Sequence, residues 1–295
     1  MAQDIARALN SCEIEGKIHR LCAHLDKQSV KCVSTIVARL RFASLLKNKK
    51  IHRLSKKEKR VLETLEKEFY PNIIAFENSY FYNGYFLPIN HFEAGVFWHN
   101  HGLENIKHWE RIAHKNIIDV GGFIGDSAII LQKYTDKKVY SFEAMSENYD
   151  LMLQTLKLNN AQRIVPIKKA LGASFERIKI VKYGAGSSAV VIYNNTDFEE
   201  VEVMTLDSFV QEHNLEVGFI KVDIEGFEMP FLQGALHTIK TQKPAMLISI
   251  YHQASDFFDI KPFLEDLDLG YTFCVYKPID GSVSGETCLF CEVRD

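Results

Sequence analysis

The chain has 295 residues, 46% hydrophobic and 25% charged, which suits one large or two modest globular domains. No run approaches the roughly 20 apolar residues that span a bilayer, and the opening MAQDIARALNSCEIEGK lacks the continuous apolar stretch of a secretion signal. The net charge of −3 is uneven: residues 1–60 carry +10 and the remainder −13, which argues for a boundary past residue 60 and for an anionic partner of the basic part.

Residues 3–25 place Ile5, Leu9, Cys12, Ile18, Leu21, Cys22 and Leu25 at helical spacing, and Val30, Val33, Val37 and Leu40 predict a second helix. Ser55-x-x-Glu58 reads as a capping box before Val61, Leu62, Leu65 and Phe69, with Pro71 after the helix end. The expectation is a helical, basic N-terminal region over 1–75 and a second domain over 76–295. Arg39, Arg41, Lys47, Lys49, Lys50, Arg53, Lys56, Lys57, Lys59 and Arg60 form either a solvated face or a surface for an anionic glycan, lipid headgroup or nucleic acid. Aromatic residues are sparse there, which argues against nucleic acid.

Asn83-Gly84 between Tyr80-Phe81-Tyr82 and Tyr85-Phe86 is a hairpin signal. Phe92, Phe97, Trp98 and Trp109 follow, interleaved with His91, His99, His101 and His108. They read as a lid or aromatic wall, or as ordinary packing. No H-x-x-x-H helix with a carboxylate accompanies the histidines, so no metal is assigned.

From 116 onward strands and helices alternate, which predicts a parallel α/β sheet. Ile117, Ile118 and Val120 form an apolar strand ending in Gly121, Gly122 and Gly125, and Ser127 to Tyr134 continues as a helix. Such a turn lets backbone approach a ligand closely, and Asp119 lies at the carboxyl end of the strand, where open α/β sheets bind. Lys138 to Phe142 is the next strand and ends in Glu143, 18 residues past Gly125, a place for a carboxylate that accepts ribose hydroxyls. A helix N-terminal charge is the competing explanation. The absence of G-x-G-x-x-G argues against a pyrophosphate-containing cofactor.

Arg163 to Ile167 is a third strand, and Ile178 to Tyr183, Ser188 to Tyr193 and Glu199 to Met204 read as short antiparallel strands inserted after it. Thr205 or Asp207 caps the following helix. Phe219 to Val222 is a buried strand ending Asp223-Ile224-Glu225-Gly226-Phe227-Glu228, and Ala245 to Ile250 is another, ending Tyr251-His252. Thr272 to Tyr276 and Cys288 to Val293 predict a closing hairpin. Cys288 and Cys291 are formally C-x-x-C, but three residues apart in a strand they face opposite sides, so they read as core residues. Nothing in the six cysteines indicates disulfides, which points to a reducing, cytoplasmic setting.

D-V-G-G-F-I-G, F-E-A, K-A-L-G, G-S-S, V-x-x-x-T-L-D and I-K-V-D-I-E-G-F-E occur in this order, and together they closely resemble the FkbM-type S-adenosylmethionine-dependent methyltransferases. The resemblance covers 117–252 well and leaves 1–75 unexplained. It implies a class I, Rossmann-like methyltransferase sheet, mostly parallel with a C-terminal antiparallel hairpin, and S-adenosyl-L-methionine as cofactor. It places Asp119, Gly121 and Gly125 at the methionine end, Glu143 at the ribose, Lys169 and Ala170 near the adenine, and Asp223 and Glu225 at the mouth beside the reactive methyl. Ser187 and Ser188 fall in the G-S-S loop and are candidate substrate residues with Glu225. The family motif D-V-G-A-N-x-G is altered here, Gly122-Phe123 standing for Ala-Asn.

Methyl transfer to a hydroxyl requires alignment and removal of a proton. Asp223, Glu228 and His252 fall at or just beyond strand ends, and His252 or Asp223 is the candidate base with Glu228 in support. The expected function is O-methylation of a sugar hydroxyl on a glycan or glycosylated metabolite. The alternative is a non-catalytic nucleoside- or glycan-binding protein on the same fold. A homo-oligomer stays open.

Overall fold

The computed structural model describes residues 2–45, 54–181 and 198–294. In chain order the helices α1 (Ala2–Ala8), α2 (Ile14–Cys22), α3 (Lys27–Leu45) and α4 (Lys56–Thr64) come first. Strands β1 (Ile74–Phe76), β2 (Ser79–Tyr82) and β3 (Tyr85–Leu87) follow, then β4 (Asn116–Val120), α5 (Asp126–Leu131), β5 (Val139–Phe142), α6 (Ser146–Leu158) and β6 (Ile164–Ile167). After these come β7 (Ala170–Leu171), β8 (Glu176–Val181), β9 (Phe198–Met204), α7 (Leu206–Glu212), β10 (Val217–Val222), α8 (Glu228–Gly234), α9 (Leu236–Gln242) and β11 (Ala245–Ser249). The chain closes with α10 (Ala254–Glu265), β12 (Tyr271–Tyr276) and β13 (Cys288–Val293).

These elements form two units. One comprises Met1–Ile73, Glu93–Ile106 and Ser249–Asp295; the other comprises Ile74–Phe92 and Lys107–Ile248. The front helices therefore share a unit with the C-terminal segment. Ile5, Leu21, Val33, Ile36, Val37 and Leu40 are buried there, the helical spacing of α3 supplying a continuous apolar stripe. Polar ties add to this packing: Lys17 pairs with Asp259 at 2.9 Å, and the fully buried Lys261 ammonium donates to the Ala23 carbonyl at 2.6 Å and pairs with Glu265 at 2.7 Å. The Ser55–Glu58 capping box is present at the start of α4. Arg39 grips the same Glu58 through two hydrogen bonds of 2.7 and 2.6 Å, which hold its carboxyl down at about 2. Arg39 is thereby committed to an internal pair, while Lys47, Lys49, Lys50 and Arg53 lie outside the described residues. In the closing hairpin β12 and β13 are antiparallel, and Cys288 and Cys291 are buried thiols.

The second unit is built on parallel strands ordered β11-β10-β4-β5-β6. Ile117, Ile118, Val120, Phe142, Ile220, Val222, Met246 and Ile248 are all essentially inaccessible, as strands covered on both faces require. Pro166 sits on β6, the outer strand of this row, where a missing amide is tolerated. The Asn83-Gly84 turn has φ of 46° and 87°, the double left-handed geometry of a tight hairpin. Asn159, past α6, holds the hairpin by accepting the Phe86 amide at 2.9 Å and donating to its carbonyl at 2.7 Å. Trp109 resolves to packing, its ring 4.2 Å from Tyr134 and 5.3 Å from Phe219. The insertion keeps an antiparallel β8–β9 pair; the expected strand 188–193 lies outside the described residues.

The glycine of K-A-L-G has a packing cause. Helix α8 approaches so closely that a side chain on Gly234 would run into the Gly172 carbonyl, and one on Gly172 would meet the Phe227 ring at 2.8 Å. Gly234→Ala is expected to destabilise by about 1–3 kcal/mol in urea unfolding. Gly16→Ala, in α2 with nothing within 4 Å of the added methyl, is the control. It is expected to be neutral or stabilising by up to about 1 kcal/mol.

Candidate active site

Every described residue of the glycine turn and the acidic corner belongs to the second unit. Strand β4 pairs with β10 and β5 so that Lys221, Asp119 and Ser141 lie in one row across three strands. Asp119 is inaccessible to water. Its Oδ2 accepts the Ser141 hydroxyl at 2.6 Å, and its Oδ1 stands 3.4 Å from the Lys221 ammonium. Lys221 is itself only 3% exposed and donates at 2.8 Å to the carbonyl of Gly121. Burial works against the charge on Lys221. Asp119, Asp223 and Asp126 outweigh it and hold the ammonium above its ordinary range. Burial lifts the Asp119 carboxyl, against the pull of Lys221 and Ser141.

The bend after β4 depends on missing side chains. Gly121 has φ 81°, and a side chain there would collide with the Asp223 carbonyl oxygen. The amide of Asp223 in turn donates to the Val120 carbonyl at 3.0 Å. The glycine turn and the acidic corner are thus neighbours at the carboxyl ends of adjacent strands. A side chain on Gly122 would strike the Ser141 hydroxyl and, at 2.5 Å, the end of Met152. Gly125 has φ 84° and sits directly before α5.

Glu143 directly follows β5 and is 8% exposed. Its Oε2 accepts the Phe123 amide at 2.9 Å and its Oε1 the Met145 amide at 2.7 Å. Burial pushes the carboxyl up to about 7 despite these two donors, the Asn148 side chain and Lys221. Ala144, Met145 and Ala170 gather in one apolar cluster with Ile178, Ile180 and Val201. Lys169, next to Ala170, is partly exposed and lies 3.5 Å from Glu202. In the acidic corner Glu225 and Gly226 both take positive φ, 55° and 98°, and Glu228 is fully buried, its Oε1 accepting the Ile224 amide at 3.0 Å. The turn that carries Asp223 and Glu225 is therefore closed by Glu228 from the start of α8.

His252 belongs to the first unit, three residues past β11, and is 5% exposed with its ring 4.1 Å from that of Tyr251. Ser187 and Ser188 lie outside the described residues. The sequence reading missed Lys221 and Ser141. The signal for Lys221 was present: it is the one charge in the run V-G-F-I-K-V, every residue of which is buried.

The Methyltransferase FkbM domain family matches residues 119–273, more than half of the chain. The chain belongs to the FkbM methyltransferase family. Among solved structures, the Methyltransferase FkbM from Methylobacillus flagellatus KT is 19% identical with a TM-score of 0.60, over 95% of this chain and 58% of that protein. The FkbM-family chain thus spans little more than half the length of that relative, and the likeness establishes the fold. An rRNA methylase from Streptococcus thermophilus (13% identity, TM-score 0.43, 66% of this chain and 95% of that one) is also similar. So is a putative O-methyltransferase from Klebsiella pneumoniae (11%, 0.42, 90% and 100%). No curated protein matches the chain. Among the described residues no helix is long and apolar enough to cross a membrane.

Two stability outcomes follow. Lys221→Met leaves a buried carboxyl without its cation and is expected to destabilise by about 3–5 kcal/mol. The Asp119→Asn, Lys221→Met double variant should be at least about 1 kcal/mol more stable than the summed single effects, read by a urea double-mutant cycle. For Glu143, the unfolded carboxyl ionises near 4.5 and the folded one at about 7. Between these values the folded chain holds the extra proton, so stability falls as pH rises through this window and levels off above it. Glu143→Gln should remove that slope in unfolding curves taken from pH 4.5 to 8.

Proposed function

We propose that this FkbM-family chain is an S-adenosylmethionine-dependent O-methyltransferase acting on a sugar hydroxyl of a glycan or glycosylated metabolite. The observation that carries the cofactor reading is the contact of the side-chain-free Gly121 bend with Asp223, with Glu143 on the next strand. The residues suit the cofactor. Glu143 is held by two amides and the Asn148 side chain, which leaves its carboxylate one acceptor position for a ribose hydroxyl. Ala144, Met145 and Ala170, from one apolar cluster, would hold the adenine, with Lys169 next to them in the chain. Asp119, Asp223 and Asp126 around the single Lys221 leave a surplus of negative charge at the methionine end, which favours a cationic ligand. Gly121 and Gly125 supply the left-handed backbone, φ 81° and 84°, on which the bend depends.

The bound cofactor would supply an activated methyl group on a cationic sulfur. The chain's own residues must orient the acceptor hydroxyl and take its proton. Asp223, with Glu225 and Glu228 beside it, is one candidate base; His252, from its position past β11, is the other. Ser187 and Ser188 are retained as acceptor contacts on the family motif alone. The sugar acceptor rests on the family resemblance, and the O-specificity on the proton-accepting residue types.

Calorimetry with S-adenosylhomocysteine, followed by transfer from labelled S-adenosylmethionine into a glycan extract read by mass spectrometry, tests this reading. Binding should strengthen from pH 6 to 8 as Glu143 ionises, and Glu143→Gln should weaken it about tenfold or more at pH 8. The true base should lose about 10²–10⁴ in turnover when changed, as Asp223→Asn or His252→Ala, while the dissociation constant moves only a few fold. Absence of any cofactor binding would overturn the assignment. Binding without transfer to any hydroxyl would leave the non-catalytic alternative.

A further inference from the structure

Phe123 is the least expected residue of the glycine turn. It takes φ 44°, a left-handed conformation rare for bulky side chains and favoured by asparagine, the residue of the family motif at this position. It nevertheless makes the hydrogen bond that matters to its surroundings, its amide donating to Glu143 Oε2 at 2.9 Å. Something other than backbone preference must hold the turn. The structure offers a brace: the His91 ring lies 4.8 Å from the Phe123 ring at 63°, edge to face. His91 follows β3 and the hairpin that Asn159 ties to the end of α6, so the brace stands on an ordered support within the same unit.

We propose that Phe123 is a positioning residue for Glu143: its ring, seated on His91, holds the amide in the left-handed turn where it donates to the carboxylate. This gives the aromatic segment before residue 92 a task at the site and explains how the chain keeps the turn without asparagine. The consequence for cofactor affinity rests on the ribose role proposed above; the positioning of Glu143 does not.

The groups facing Glu143 are the Phe123 and Met145 amides, the Asn148 side chain and the Lys221 ammonium. Each favours the charged carboxylate against burial. If the Phe123 amide swings away, the ionised form loses one donor and the proton is held more tightly. The test is titration of the Glu143 carboxyl by ¹³C NMR in the full-length, cofactor-free protein, assigned by loss of the signal in Glu143→Gln. The midpoint in the parent protein is expected near 7, and His91→Ala should raise it by about one pH unit, the worth of one hydrogen bond to a charged group. Phe123→Ala should do the same, and Phe123→Tyr should restore it. Phe123→Asn should keep the parent midpoint, because asparagine holds the turn unaided, and adding His91→Ala to that variant should change nothing.

A general packing defect would not depend on residue 123 in this way. Should Phe123→Ala fail to fold, His91→Ala in the parent and in the Phe123→Asn background decides the question. An unchanged midpoint in folded His91→Ala, or the same rise in both backgrounds, overturns the proposal. Failure of S-adenosylhomocysteine to bind the parent protein, with the NMR pattern as expected, would overturn the cofactor reading and leave the positioning role standing.

Discussion

An ammonium group almost out of reach of water lies beneath the glycine bend, and the arrangement of the site depends on it. Lys221 could not be buried on a central strand without a counter-charge, and Asp119 could not be buried beside it alone. The parallel register of β4 and β10 sets the two side by side, and β5 adds the Ser141 hydroxyl to the other carboxylate oxygen. The third consequence is the contact with the Gly121 carbonyl. A backbone oxygen that would otherwise need water is satisfied from below, so the bend is fixed from the inside. The close approach of Gly121 to Asp223 belongs to the same constraint, since both strands end at the same level.

The two acids at the strand ends of the second unit live under different physics. Glu143 is almost fully buried and held by amides, so its charge is poised by desolvation and responds near neutral pH. Asp223 stands partly open beside a cation whose proton it helps to retain. A carboxylate of the first kind suits hydrogen bonding to neutral hydroxyls, where small changes in local geometry alter its charge. One of the second kind adds to the acidic surroundings that hold the Lys221 proton. The positive φ values of Glu225 and Gly226 keep the corner from continuing as a helix directly after β10, and the Glu228 carboxylate closes the turn through the Ile224 amide. The acidic sequence of this corner is therefore partly structural, since Glu228 closes the turn through the Ile224 amide.

What the sequence made legible follows how local each cause is. The strand that ends at Val120, the glycine turn, the hairpin at Asn83-Gly84 and the Ser55–Glu58 cap each depend on a few adjacent residues, and each appears as read. Helix breaks were less visible: the stretch 3–25, with its single helical spacing, is two helices. The pairing of Asp119 with Lys221 and with Ser141 was not legible, because parallel register joins residues about 100 and 20 positions apart and no periodicity encodes it. The grouping of the front helices with the C-terminal segment is likewise non-local, carried by contacts such as Lys17 with Asp259. The aromatic segment after 72 divides: Trp109 packs against Phe219 of β10, and the His91 ring reaches Phe123 of the turn.

The departure of this chain from the family's first motif has a consistent physical account. An alanine at 122 would occupy the space where Ser141 reaches Asp119 and where Met152 closes the packing, so the glycine there and the Ser141 bond exclude the alternative together. The phenylalanine at 123 gives up the turn preference of asparagine but retains the amide that reaches Glu143. Both changes spare the backbone atoms that define the bend: the Gly121 carbonyl on Lys221, the Gly121 surface against Asp223 and the Phe123 amide on Glu143. A motif whose work is done by main-chain groups can exchange side chains when neighbours take over the support. The altered letters at 122–123 therefore signal a change in how the turn is held, and they give no ground by themselves for inferring that the site has been lost.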